Sequence, residues 1–326
     1  MRGRHIAWMG ATVMILGACG SLSEGRGAYE QTYLPASHNW TFRRLYPETD
    51  RIFNAFDYGH AIEYQTLVTG GSGQLLDTRT FDQVTHVLRH APAIPLEERA
   101  IGPDYAALVP EVVAMFEWAH MLHRQLYDIL SDDRIAPDQQ AERVQQMLAY
   151  YRTRPDLAFS SRPKRMELME GQPYSLTFRR EAPKYNALIW SYHWLQMVSY
   201  DALLSAPDHA GRAAALHRAY EHFWAMNDGT VPGAAVMPMS AAIAPAFTAR
   251  YPDAAVIFDN LHSMHDVLSD ILASRTMSSA EKRRAALAAA ARYRDDTTQV
   301  TSVDEWKMMA MDMDVAKMGG SLPSAP

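Results

Sequence analysis

The 326-residue chain predicts an all-α fold, a multi-helix bundle with additional peripheral helices. Three observations lead there. Apolar residues recur at three- and four-residue steps over long stretches, prolines and glycines punctuate those stretches, and alternating apolar–polar runs are sparse and short. Pro47 opens the first helix, in which Ile52, Phe56, His60, Glu63 and Leu67 share a stripe, and Gly70-Gly71-Ser72-Gly73 stops it. A second helix runs from about Pro103 or Pro110 to Leu130. Residues 137–152, rich in Gln, Glu and Arg, read as a surface helix. Residues 183–205 are apolar nearly all round, as a buried central helix must be. Further helices are expected at 209–226, 252–274, 278–295 and 302–317. The stretch from Ser160 to Pro183 reads as a loop or hairpin laid over the helices. No internal repeat at a fixed period is evident.

Composition bounds the function. The chain carries 31 Lys and Arg against 37 Asp and Glu, for a formal charge of −6. Nucleic-acid binding, which needs clustered basic side chains, is not expected. A single cysteine excludes an intrachain disulfide, a covalent c-type haem and an iron–sulfur cluster. Any bound metal must use His, Asp, Glu or Met.

The N-terminus begins Met1-Arg2-Gly3-Arg4-His5, continues with an apolar run through Leu16, and reaches Gly17-Ala18-Cys19-Gly20. A basic start, a short apolar core and a small-residue cleavage site define an export signal. Leu16-Gly17-Ala18-Cys19 resembles the lipobox of bacterial lipoproteins, with Gly17 where that family more often has Ala, Ser or Thr. The resemblance implies cleavage before Cys19, acylation of that residue, and anchoring to membrane lipid. Several acyl chains give the stable attachment that one does not. Gly20 in place of Asp favours the outer membrane facing the periplasm over the inner one. The expected organisation is a signal at 1–18, a tether at 19–37, a single helical domain at 38–318 and a disordered tail at 319–326.

Acid–histidine pairs at three-residue spacing are the main chemical signal: Asp57 with His60, Glu117 with His120, and Asp259 with His262, extended by His123 and His265. That spacing puts both side chains on one helix face, one turn apart, and imidazole with carboxylate suits Zn, Fe or Mn. The pattern is faintly similar to the ferritin-like di-iron carboxylate proteins, in which two helices each give an acid-x-x-His pair and two more each give a carboxylate. The resemblance implies an Fe or Zn centre formed by Glu63, Glu117, His120, Glu221, Asp259 and His262. Asp259 departs from the family's Glu. His193, in the most apolar helix, is a further candidate ligand or a core histidine bonded to a tyrosine. Met308, Met309, Met311, Met313 and Met318 offer thioethers to Cu(I). No nucleophile elbow, phosphate loop or zinc-protease helix is present.

Two readings remain open. One is a non-enzymatic accessory or scaffold lipoprotein at the membrane surface, working with a membrane protein complex. The other is a metal-binding redox or metal-handling protein.

Overall fold

The structure, a computed structural model, describes residues 39–324. Every regular element among them is a helix; the nearest approach to a sheet is one isolated bridge between Lys164 and Val300. Four helices of 22 residues each form the centre: α1 (Pro47–Val68), α2 (Pro110–Ser131), α3 (Pro183–Leu204) and α4 (Pro252–Ala273). α1 and α2 each pack against both α3 and α4, so the two halves of the chain interleave around one core. Shorter helices surround them: Pro137–Tyr151 lies on α2, Ser279–Arg294 on α4 and His209–Asn227 on α3.

The four long helices are variations on one unit. Each opens with a proline at its first turn, where the missing N–H costs nothing and the fixed φ is already helical. The residue before each proline is kept out of the helical region by the ring. Tyr46, Val109, Ala182 and Tyr251 accordingly sit at φ −131, −136, −137 and −135°. A single-turn helix precedes each of them, at Thr41–Leu45, Pro103–Leu108, Thr177–Glu181 and Pro245–Arg250.

Counted from the opening proline as position 1, position 19 is Gln65, Asp128, Asp201 or Asp270. Each of these side chains caps a single-turn helix. Asp128 accepts from the backbone N–H of Trp40 and Phe42 at 2.9 and 2.8 Å, and Asp270 from Leu176 and Phe178 at 2.7 and 2.8 Å. Gln65 caps the turn before α2 and Asp201 the turn before α4 in the same way. Trp40 and Leu176, at φ 63 and 64°, occupy the left-handed region that non-glycine residues avoid, and the carboxylates hold them there.

The chain is therefore internally repeated, although not at the fixed period sought in the sequence. α2 and α4 align at an offset of 142 (252 − 110), α1 and α3 at 136 (183 − 47). The difference hides the repeat from a search at a fixed period. It arises between the first and second long helix of each half, where one half inserts helices within 73–89 and the other inserts His209–Asn227.

Two other expectations change, and a third gains detail. Residues 319–324 are held on the bundle, because Trp194 Nε1 donates to Gly320 O at 2.6 Å and Arg218 Nε to Pro323 O at 2.9 Å. The segment from Ser160 to Pro183, expected as a loop or hairpin, is a loop that carries two single-turn helices, Glu167–Glu170 and Thr177–Glu181. The helix expected at 302–317 ends at Asp312, with a 3-10 turn at Val315–Met318. No helix of the described residues is long and apolar enough to cross a membrane. The expected signal, Cys19 and the tether lie outside the described residues.

Candidate metal centre

The repeat sets the site. Position 11 of the four long helices, half-way along each, is Asp57, His120, His193 or His262. Position 14, one turn on and on the same face, is His60, His123, Gln196 or His265. Six histidines, an aspartate and a glutamine thus project into the middle of the bundle at one height, and all eight are buried.

Three of the imidazoles converge. His193 Nε2 lies 3.2 Å from His60 Nε2 and 3.2 Å from His265 Nδ1. His60 Nδ1 faces the Phe56 carbonyl at 3.2 Å, and since a carbonyl only accepts, the His60 proton sits on Nδ1. Its Nε2 therefore turns a lone pair towards the other two rings. A single N–H on His193 is the most that can serve both neighbours. Among the described residues, His193 Nδ1 and His265 Nε2 have no hydrogen-bond partner. Buried polar atoms are rarely left so.

A second group adjoins the first. His120 Nδ1 stands 3.2 Å from Asp57 Oδ1 and 3.9 Å from Glu98 Oε1. Glu98 belongs to the single-turn helix Glu98–Ile101, which packs on α1. The two groups share α1, with Asp57 in one and His60 in the other, and the His60 and His120 rings are 6.4 Å apart.

The electrostatics favour neutral imidazole. Burial pushes His60 down to about 3, with the neighbouring His120 acting in the same direction. Burial also drives His123, His193, His262 and His265 well below the usual histidine range. Neutral imidazole is the form that coordinates metals. Burial, with Asp57 and Glu117 nearby, holds Glu98 well above the usual carboxylate range. The surrounding wall is apolar and again repeated. Phe116 and Phe258, both at position 7, pack on His265 edge-on at 4.1 Å and on His123 face-on at 3.5 Å.

His60, His120, His193 and His265 fall within the two groups, along with Asp57 and Glu98. His262 stacks on His193 at 4.2 Å, and neither of its nitrogens has a hydrogen-bond partner among the described residues. His123, not His193, is the histidine bonded to a tyrosine, Nδ1 meeting Tyr200 Oη at 2.8 Å.

The carboxylates expected as ligands have other partners. Glu221 is a correction: its side chain is 63% exposed, on the surface beside His217. Asp259 accepts from Ser240 Oγ at 2.5 Å and Trp306 Nε1 at 2.9 Å, which uses both its oxygens. Glu63 accepts from Ser269 Oγ at 2.5 Å, and its other oxygen has no partner among the described residues. Glu117 faces Arg99 at 3.9 Å, and burial raises its carboxyl to about 7. The converging donors are mainly imidazoles, unlike a di-iron carboxylate set. Of the methionines, Met308 and Met311 are exposed, on the helix Val303–Asp312, while Met318 is fully buried.

Glu98 escaped sequence reasoning, because a glutamate on a one-turn helix carries no periodic signal. Asp57 was visible only as the partner of His60. The signal that finds Asp57 is a proline followed by chemistry-bearing residues at positions 11 and 14, four times over. Comparisons with protein-family models, curated proteins and solved structures find no match for this chain.

Proposed function

We propose that the protein is a lipid-anchored metalloprotein in which His60, His193 and His265 bind one transition-metal ion at the centre of the bundle. The observation that carries this is the spacing of the three ring nitrogens. A metal–nitrogen distance of about 2.0–2.1 Å at tetrahedral angles places ligand nitrogens about 3.3 Å apart. His193 Nε2 is 3.2 Å from each of its two neighbours. An ion there would engage all three nitrogens at once, where a single His193 N–H serves at most the two contacts it shares.

Three neutral imidazoles suit zinc, iron or copper, and they leave a fourth position for water, oxygen or a substrate. Redox chemistry or metal handling follows from that open position. An accessory or scaffold role alone gives no reason to bury six histidines at one height. The lipobox-like Leu16-Gly17-Ala18-Cys19 supports anchoring through acylated Cys19, with the helical body exported and held beside a membrane.

The test is metal analysis of protein purified without a histidine tag, beside His193→Ala. The expected result is about one or more equivalents of a transition metal in the wild type and a large loss in the variant. Less than about a tenth of an equivalent, with no rise in thermal stability on adding zinc, iron or copper, would overturn the reading.

A further inference from the structure

We infer that Asp57, Glu98 and His120 bind a second cation beside the three-histidine ion, making the centre dinuclear; this rests on the metal reading above. Asp57, Glu98 and His120 each offer one ligand atom within 4.8 Å of the other two, and all three residues are buried. The second oxygen of Glu98 has no hydrogen-bond partner among the described residues, although Glu98 is only 3% exposed and its other oxygen faces His120. Two carboxylates thus gather around one imidazole in the interior, a mixed oxygen and nitrogen donor set of the kind divalent cations take.

The donor chemistry differs between the two sites. Three imidazoles form a borderline-soft set, whereas two carboxylates and one imidazole form a harder one, suited to Fe(II), Mn(II) or Zn(II). α1 ties the sites together, since Asp57 and His60 are one turn apart on the same face. Two ions held in that way would supply Lewis-acid polarisation and an activated water side by side. The internal repeat explains why one such carboxylate site, not two, occurs among the described residues. The equivalents of Asp57 and Glu98 in the second half are His193 and Ser240, and Ser240 is bonded to Asp259.

The experiment is titration of metal-stripped full-length protein with Co(II) and with Mn(II), read as bound equivalents by equilibrium dialysis and elemental analysis. Wild type is expected to bind about two equivalents of Co(II). Glu98→Gln, and independently Asp57→Asn, should bind about one, as should His193→Ala. Circular dichroism of each variant checks that the helices persist, and the pair of carboxylate variants guards against a fold failure in one. A wild type that binds one equivalent, with Glu98→Gln lowering only its affinity, would overturn the second site and make Asp57 and Glu98 a carboxylate pair that orients His120. Two equivalents undiminished by both carboxylate variants would overturn it as well. No binding by wild type would instead refute the three-histidine site.

Discussion

Replacing Asp270 by alanine removes the acceptor for two backbone N–H groups at the start of Thr177–Glu181. At pH 8 the Asp270 carboxyl, raised by burial to about 6, is ionised, so both bonds are charge-assisted. The Leu176 N–H is partly exposed and recovers water, while the Phe178 N–H is buried and is left unsatisfied. A buried donor without a partner costs about 1–3 kcal/mol, and the charge-assisted bond lost at Leu176 adds a similar amount. After relaxation of the left-handed Leu176, the net loss is about 2–4 kcal/mol. Urea denaturation at pH 8 should show this as a lower midpoint with unchanged slope, and thermal denaturation as a drop of roughly 5–10 °C. Leu176→Gly in the same background should restore about 1 kcal/mol, because glycine adopts positive φ without strain. A loss below about 0.5 kcal/mol for Asp270→Ala would refute the idea that position-19 side chains pin the single-turn helices.

Other consequences are open to the same kind of measurement. Burial raises Asp128 to about 7, against the pull of the Phe42 and Trp40 N–H donors. Its native pKa exceeds the unfolded value of about 3.9, so this group's contribution to stability is greatest below that value and falls as pH rises to 7. Urea midpoints of Asp128→Asn should therefore decline less between pH 4 and 7 than those of wild type, and parallel profiles would contradict this. Gly59→Ala places a Cβ 2.6 Å from the buried Tyr192 ring, which is stacked on Phe56. Overpacking there should cost about 1–3 kcal/mol in urea denaturation; a neutral effect would show that the wall beside His60 yields. Chelation should lower the melting temperature, since an ion present at about a thousand times its Kd stabilises the native state by about 4 kcal/mol. An unchanged melting temperature after metal removal, verified by elemental analysis, would count against the centre. Cys19→Ser should move the protein from the membrane to the soluble fraction in cell fractionation, and retention in the membrane would contradict the anchor.

The long helices were legible because proline at the first turn and apolar spacing agree over 22 residues, with a glycine stop after α1 as well. The single-turn helices at Thr41–Leu45, Glu98–Ile101 and Pro245–Arg250 were not legible. One turn contains too few residues for periodicity, and tertiary caps such as Asp128 and Asp201, distant in sequence, hold them. The histidines were found on their own helices, but which nitrogens meet depends on how α1, α3 and α4 interleave. Asp259 and Glu221 illustrate the converse. Acid-x-x-His spacing is satisfied equally by a carboxylate capped by Ser240 and Trp306, and Glu221 was drawn in by composition although it lies on the solvent face.

X-ray absorption on protein loaded with one equivalent of metal tests the central claim most directly. The account predicts about three imidazole nitrogens at 2.0–2.1 Å, with the outer-shell scattering of imidazole rings reduced by a third in His265→Ala. A first shell of oxygens without imidazole scattering, or a spectrum unchanged by that substitution, would contradict it.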